Sequence, residues 1–432
     1  MSAQDTDFIF APGDLTVAAH ATARSRPKTA GKWPGIFLPE ENCAIFMRME
    51  TNTRSNWSFW ERSSLLGRPD FVVIGSGIVG LTAAIRLRER FPDRRVVVLE
   101  RGSLPSGAST RNAGFACFGS MTELLADLEA RPEEEVWQLV GRRWQGLQRL
   151  RALLGDERID YRELGGYEIF RAGEEESWNA CLDNLDHCNR QLREIVGRPA
   201  VFREANDRLP SLGLAQVKGL LWNQAEGQLD PGKMMRHLLA LARERGVETW
   251  FGLEVVEWSE SEREVALQLA GGLRIETDRV LVATNGFARR LLPDLPVVPA
   301  RNQVLITRPV AGLPLEGCFH YDRGYFYFRN VADRVLLGGG RHLAPQTEQT
   351  DAFGTTEAIR AALLKLLHEV ILPGKKAEVE QWWSGILGVG PAKTPIVQSW
   401  SPRIALAVRL GGMGVAIGSL VGAEGADLLA EC

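Results

Sequence analysis

The feature that most restricts this chain is the stretch VVIGSGIVGL, which begins at Val72. The apolar run FVVI reads as a buried strand, and Leu81, Ala84, Ile85 and Leu87 have the spacing of a following helix. Between them, Gly75, Gly77 and Gly80 form a G-x-G-x-x-G turn. Gly75 permits the tight turn, Gly77 lets the backbone approach a pyrophosphate, and Gly80 lets the helix pack close to the strand. The first helical residues, Ile78 and Val79, then offer free N–H groups to phosphate oxygens. A second buried run, RRVVVLE, ends on Glu100, twenty residues after Gly80. A carboxylate there accepts both hydroxyls of an adenosine ribose and repels a 2′-phosphate, so the dinucleotide is not NADP.

NAD and FAD share this fingerprint, and the tail of the chain separates them. A second glycine turn, GGMGVAIGS, opens the last helix. A helix N-terminus stabilises the anionic N1/C2 edge of a reduced flavin, and a nicotinamide enzyme has no comparable need there. The reading is FAD, bound non-covalently.

Bulk properties narrow the class. A chain of 432 residues with 45% apolar and 24% charged residues is ordinary globular material for two or three structural units. A net charge of -3 gives no global basic surface, so no nucleic-acid partner is expected. The six cysteines contain no C-x-x-C pair, which reads as scattered core thiols in a reducing, cytoplasmic setting, with no metal site. The most apolar stretch, GGMGVAIGSLVGAEGADLLA, is broken by Glu424 and Asp427, so no transmembrane segment is expected. Residues 1–68 show no apolar periodicity and no signal-peptide core, and read as a partly disordered extension. Within it, Met47 or Met49 is a candidate natural start, and Trp57, Phe59 and Trp60 are expected to pack on the folded domain.

Further along, GSLPSGASTRNAGFACFGS is a long Gly/Ser loop of the kind that holds ligands. Ser120 and Glu123 make a capping box. The helix after Pro132 carries Val136, Val140, Trp144, Leu147, Leu150 and Leu154 on one face, and its Arg142, Arg143, Arg149 and Arg151 read as a solvated face. FHYDRGYFYFRNVADRVLLGGGRH reads as a pair of hairpins, in which Tyr325, Tyr327 and Arg329 share one strand face and Phe326 and Phe328 the other. A tyrosine-rich sheet face suits an amine-bearing substrate.

Taken together, VVIGSGIVGL…VVVLERG, GASTRNAGF, QLDPGKMMRHLLALARERGV, VLVATNG and GGMGVAIG resemble the D-amino acid oxidase (DAO) superfamily of FAD-dependent oxidoreductases, in its glycine/sarcosine oxidase-like branch. The resemblance covers roughly residues 70–432. It implies an α/β fold: a Rossmann-type FAD-binding domain with an inserted α+β substrate domain built on a mixed antiparallel sheet. The division it implies is 69–120, 226–292 and 385–432 for the FAD-binding domain, with 121–225 and 293–384 for the substrate domain. It implies that Glu100 and Arg101 hold the adenosine ribose region. Ala108, Ser109, Ala113, Gly114 and Phe115 would line the pyrophosphate and flavin, and Val255 would meet the adenine. Gly412, Met413, Gly414 and Val415 would meet the flavin ring.

For the substrate, the resemblance points to Tyr325, at an active-site tyrosine position of the glycine-oxidase-like members, and to Arg341 at a pocket-lining position; Tyr327 joins them on its strand face. Relatives carry a carboxylate-clamping arginine after W-x-G-[LI]; this chain has WSGIL, with Leu387 in that place. A second arginine near the final glycine turn is replaced by Gly412, so Arg341 is the candidate cation. His342 and Lys393 read as a structural histidine and a surface lysine. The implied reaction is oxidation of a C–N bond in a small amine or amino-acid-like substrate by hydride transfer to flavin N5, with no catalytic base named and with oxygen or another acceptor reoxidising the flavin. The alternatives are a tRNA-modifying flavoenzyme of the same fold and an NAD-dependent dehydrogenase.

Overall fold

The structure, a computed structural model, describes residues 58–431. The expectations placed on Met47, Met49, Trp57 and the rest of residues 1–57 lie outside the described residues. Phe59 and Trp60 do not pack on the domain: they are 71% and 70% exposed. Their rings meet each other edge to face at 5.1 Å instead, ahead of the helical turns Glu61–Leu66, which bury no residue.

The strand Phe71–Ile74 lies at the centre of a six-stranded sheet. On one side it pairs in parallel with Val96–Glu100, which pairs with Glu248–Phe251; on the other it pairs with Arg279–Val282, which pairs with Ile404–Val408. Ile396–Ser401 closes that edge antiparallel. The two inner strands read BBBB and BBBBB in burial, because helices and a second layer cover both faces of a parallel sheet. On one face sit the helices Ile78–Arg90, Pro231–Glu244 and Gly414–Glu431; on the other is the meander Val255–Glu260, Val265–Leu269 and Arg274–Thr277.

The larger sheet has eight strands in the order Val379–Val389, Val298–Thr307, Arg334–Gly339, Phe326–Val331, Cys318–Tyr321, Gly166–Arg171, Val217–Asn223, Phe202–Glu204. Its pairs are antiparallel except Cys318–Tyr321 with Gly166–Arg171, so the sheet is mixed. The fold class expected from the sequence is the one observed. Val379–Val389 runs unbroken through residue 385 and pairs along its length with Val298–Thr307, so one strand carries chain on both sides of that expected division.

The two halves of the chain are joined at a very close helix crossing. A Cβ on Gly422 would lie 2.1 Å from Thr82 Oγ1 and 2.5 Å from the Val79 carbonyl, and one on Gly418 would meet Ile78 Cγ2 at 3.0 Å. The long helix Glu133–Leu154 packs on the last helix too, with Gly146 against the Ala416 carbonyl. Its expected apolar face is buried, but Arg143 is not on a solvated face: it is buried and donates to the Phe118 carbonyl at 2.8 Å. The Phe118 carbonyl at the end of the ligand loop draws it inward.

Candidate active site

Two open cavities adjoin where the sheets meet. The first, of about 1220 Å³, lies along the glycine turn. Its wall includes Gly75, Gly77, Ile78 and Val79 from the first helix N-terminus, and Gly412, Gly414 and Val415 from the last. Gly75 sits at φ +108°, and a Cβ there would lie 2.9 Å from the Ala283 carbonyl, so the turn requires glycine. Gly77 keeps the wall low, since a Cβ would meet Ser109 Oγ at 2.9 Å. Gly80 is not in the wall: its Cβ would fall 1.8 Å from the Gly75 carbonyl, so its place is the helix–strand contact.

Glu100 closes the first cavity from below. Its Oε2 accepts from Ser76 Oγ at 2.7 Å and from Ser76 N, and its Oε1 accepts from Gly102 N at 2.9 Å and Ser106 Oγ. These bonds fix the carboxylate in place and use much of its accepting capacity. Arg101 covers the Phe287 ring at 3.8 Å beside Arg290, and Val255 begins the meander in the same wall. Burial and the neighbouring Arg290 pull the Arg101 guanidinium below its ordinary range. Ser109 Oγ accepts from the Ile78 N–H at 3.0 Å, tying the ligand loop to the helix end. Thr284 Oγ1, also in this wall, is buried with no partner among the described residues.

The second cavity, of about 1600 Å³, shares Ala108, Asn112, Leu387, Gly412 and Val415 with the first. Ala113, Phe115, Met413, Tyr325, Tyr327 and Arg341 line it. Gly114 is behind the wall at φ +75°, with its N–H bonded to Asn112 Oδ1 at 2.8 Å. Asn112 also donates to the Ala108 and Ser109 carbonyls, so one amide shapes the whole turn. Tyr327 OH accepts from Asn302 Nδ2 at 3.1 Å, and burial pushes its phenol well above the ordinary range. The Tyr325 ring lies tilted against His342, with centroids 4.3 Å apart, and His342 Nε2 reaches Asp322 at 3.1 Å. Arg341 lies 5.7 Å from the centre of the Tyr325 ring and makes no ion pair or side-chain hydrogen bond among the described residues.

Lys393 is not a lone surface lysine. It lines this cavity, with Nζ 2.7 Å from Asp127 and 3.1 Å from Glu123. Both carboxylates come from the helix Met121–Ala130, one turn apart, and Arg131 also holds Asp127. Arg111 completes the wall; it donates to the Ser106 and Ser384 carbonyls and covers Phe353. Asn302, His320, Lys393, Glu123, Asp127 and Arg111 were not among the expected site residues. Arg111 lies inside the Gly/Ser loop and Glu123 in the capping box, both legible in sequence, but no local pattern around Asn302, His320, Asp127 or Lys393 marks a pocket.

The joined cavities suit a long dinucleotide: the anchored Glu100 carboxylate and the low glycine turn at the first helix N-terminus line the first cavity, the N-terminus of the last helix stands where the two cavities meet, and apolar and aromatic walls line the second. The family model for FAD dependent oxidoreductases, DAO, matches residues 70–428. This chain belongs to the DAO family of FAD dependent oxidoreductases. The glycine oxidase of Geobacillus kaustophilus is 24% identical, over 84% of this chain and 93% of its own. Its solved structure superposes with a TM-score of 0.67 at 21% identity, covering 84% of this chain and 95% of that one. The bifunctional protein ThiO/ThiG of Synechocystis is 24% identical over 76% of this chain, which spans 48% of that protein's length. An iminodiacetate oxidase from Chelativorans shares the DAO fold, with a TM-score of 0.67 at 18% identity over 84% of this chain and 95% of its own. No helix among the described residues is long and apolar enough to cross a membrane.

Proposed function

We propose that this DAO protein oxidises a C–N bond in a small amine that also carries an anionic group. The observation that carries this reading is Arg341: a guanidinium in the wall of the second cavity that pairs with no carboxylate among the described residues. A cation facing a partly dry pocket is most stable with an anion against it, and a planar guanidinium suits a carboxylate. Leu387, where relatives carry an arginine, lies in the walls of both cavities, so the anionic end of the substrate is held from the Tyr325 side instead.

In this reading Gly75, Gly77, Ile78, Val79, Ser109 and Glu100 hold the pyrophosphate and ribose, with Arg101 and Val255 beyond them. Ala108, Ala113 to Phe115 and Gly412 to Val415 bracket the flavin ring. Bound flavin supplies the two-electron acceptor for the C–H bond beside the amine nitrogen. Arg341 fixes the anionic end of the substrate, and Tyr327, held by Asn302, and Tyr325 shape the space above the ring. The resulting imine takes up water to give a carbonyl compound and an amine. The terminal electron acceptor is oxygen or another oxidant.

Anaerobic mixing of the yellow holoprotein with a panel of amines, amino acids and N-alkyl amino acids tests the reading. Substrates with a carboxylate bleach the flavin, and their decarboxylated counterparts do so much more slowly. Flavin that no amine in the panel reduces overturns the reading.

A further inference from the structure

The floor of the second cavity contains an imidazole–carboxylate pair that the assignments above leave unused. His320 sits on the strand Cys318–Tyr321, opposite Glu168 on one neighbouring strand and Tyr327 on the other. Glu226, just after the strand Val217–Asn223, brings Oε1 to 2.6 Å from His320 Nε2. The other ring nitrogen, Nδ1, makes no hydrogen bond among the described residues, and His320, though buried, is part of the cavity wall. One nitrogen is therefore held by a buried carboxylate while the other is free to exchange a proton with a bound group.

Amine oxidation gives such a nitrogen a task. An amine bound as an ammonium ion has no lone pair with which to form the C=N bond. We propose that His320 accepts the substrate's ammonium proton at Nδ1, with Glu226 orienting the ring through Nε2. This rests on the C–N oxidation reading above. The N–H bond breaks, its electron pair stays on nitrogen, and the proton moves to the imidazole. That pair then forms the C=N bond as the hydrogen beside it leaves with its electron pair, for which bound flavin would be the two-electron acceptor. The imidazolium so formed faces the Glu226 carboxylate, and its proton later leaves to water through the open cavity.

The surroundings favour this transfer. Facing His320 are Glu226, Glu168 from the strand Gly166–Arg171, Glu123 from the helix Met121–Ala130, Cys117 and Tyr327. Burial pulls the imidazole down, but the carboxylates of Glu226, Glu168 and Glu123 outweigh it and hold His320 above its ordinary range. The same burial pushes the Glu168 carboxyl and the Cys117 thiol upward, so the thiol does not compete as a base. A raised histidine is protonated in the free enzyme below its pKa. The accepting form appears as pH climbs through that value.

The test is the pH profile of anaerobic flavin bleaching in the holoenzyme, per unit substrate concentration. Wild type rises through an inflection. In His320→Asn that inflection vanishes, and the rate at neutral pH falls about 10²-fold. It recovers at alkaline pH, where the amine is already neutral. Glu226→Gln removes the charge that raises the imidazole, so the inflection moves to lower pH. An unchanged FAD spectrum certifies both variants as folded. A His320→Asn enzyme with full FAD and the wild-type profile overturns the inference while leaving C–N oxidation intact; wild-type flavin that no amine bleaches overturns both. Nitrogen NMR of the wild-type holoenzyme, which has six histidines in all, needs no variant: a non-oxidisable ammonium ligand transfers a proton to the His320 ring, and an unaltered ring signal overturns the inference.

Discussion

Arg329 donates through Nε to the carbonyl of Ala113. The two residues are 216 positions apart, and the bond ties the eight-stranded sheet to the turn proposed to carry the flavin. Arg329 also donates to the Leu229 carbonyl at 3.1 Å and to the Asn330 carbonyl at 3.2 Å. Burial lowers its guanidinium below the ordinary arginine range; it pairs with no carboxylate among the described residues, and three carbonyl dipoles, with Asp230 and Asp160 farther off, hold the charge.

Replacing Arg329 with Met leaves buried carbonyls without donors, and the Ala113–Phe115 turn loses its anchor. The expected loss is about 3 kcal/mol shared between stability and flavin affinity. Thermal unfolding with and without added FAD separates the two: a Tm gap between holo and apo forms equal to wild type would show that the turn does not depend on this arginine.

At the helix crossing, Gly422→Val drives a side chain into the Val79 carbonyl and Thr82. Backbone cannot move aside as a flexible side chain can. The expected cost is about 3 kcal/mol, and FAD is lost as well, because both helix N-termini at the first cavity shift together. Gly141→Ala, on the helix Glu133–Leu154 with nothing within 4 Å of a new Cβ and outside both cavity walls, is the control and stays near wild type. Purified protein with a full flavin spectrum and unchanged Tm in Gly422→Val would contradict the close approach.

Arg341→Met removes the cation proposed to hold the substrate's anionic end. KM for carboxylate substrates rises about 10²-fold, from a charge-assisted bond worth about 2–3 kcal/mol. Flavin content and the rate with uncharged amines change little. Steady-state kinetics on both substrate types decides this. An equal fall with and without the carboxylate would assign Arg341 a different task.

Arg301 of the larger sheet and Glu348 of the short helix Pro345–Glu348 form a paired bridge, Nε to Oε2 at 2.9 Å and Nη2 to Oε1 at 3.1 Å. Burial raises the Glu348 carboxyl, but hydrogen bonds from Arg301, Gln303 and Thr356 outweigh it and hold the group below its ordinary value. Stability from this bridge is therefore present above the unfolded carboxylate's pKa and lost as pH falls through the lower folded value. Arg301→Met leaves a buried, uncompensated carboxylate and costs about 3–5 kcal/mol at neutral pH. The difference from wild type narrows in acid, which denaturant melts at neutral and acidic pH will read out; a constant difference would mean that Glu348 is not the group responsible.

Much of the nucleotide cradle was legible because its chemistry is local. Gly75 must take a positive φ, FVVI and VVVLE must be buried, and Glu100 must end its strand; each follows from a few neighbouring residues. The two glycine turns and the capping of the helix at Ser120 were readable for the same reason. The expected role of Gly80, helix packing, follows from the same local geometry.

The second cavity was legible only in part. Tyr325, Tyr327 and Arg341 lie in one hairpin region and were found from strand alternation and family resemblance. Lys393 and Glu123 are 270 residues apart, and His320 and Glu226 are 94 apart. Nothing in the sequence near Lys393 records the two carboxylates that turn a surface lysine into a wall of the pocket. Arg143 misled for a related reason: helical spacing shows which residues share a face, not which distant carbonyl waits for one of them.

By itself, then, the sequence determined the β-α-β cradle, its preference for a dinucleotide, the helix that ends the chain and the family to which all of these belong. Short-range sterics and burial decide such features, and they are written in consecutive residues. The tertiary structure alone decided that two helix N-termini share one cavity, that Glu226 meets the His320 ring, and that Arg341 has no ion-pair partner among the described residues. Those facts depend on segments brought together from across the chain, where sheet register and close glycine contacts, not local sequence, set which side chains meet.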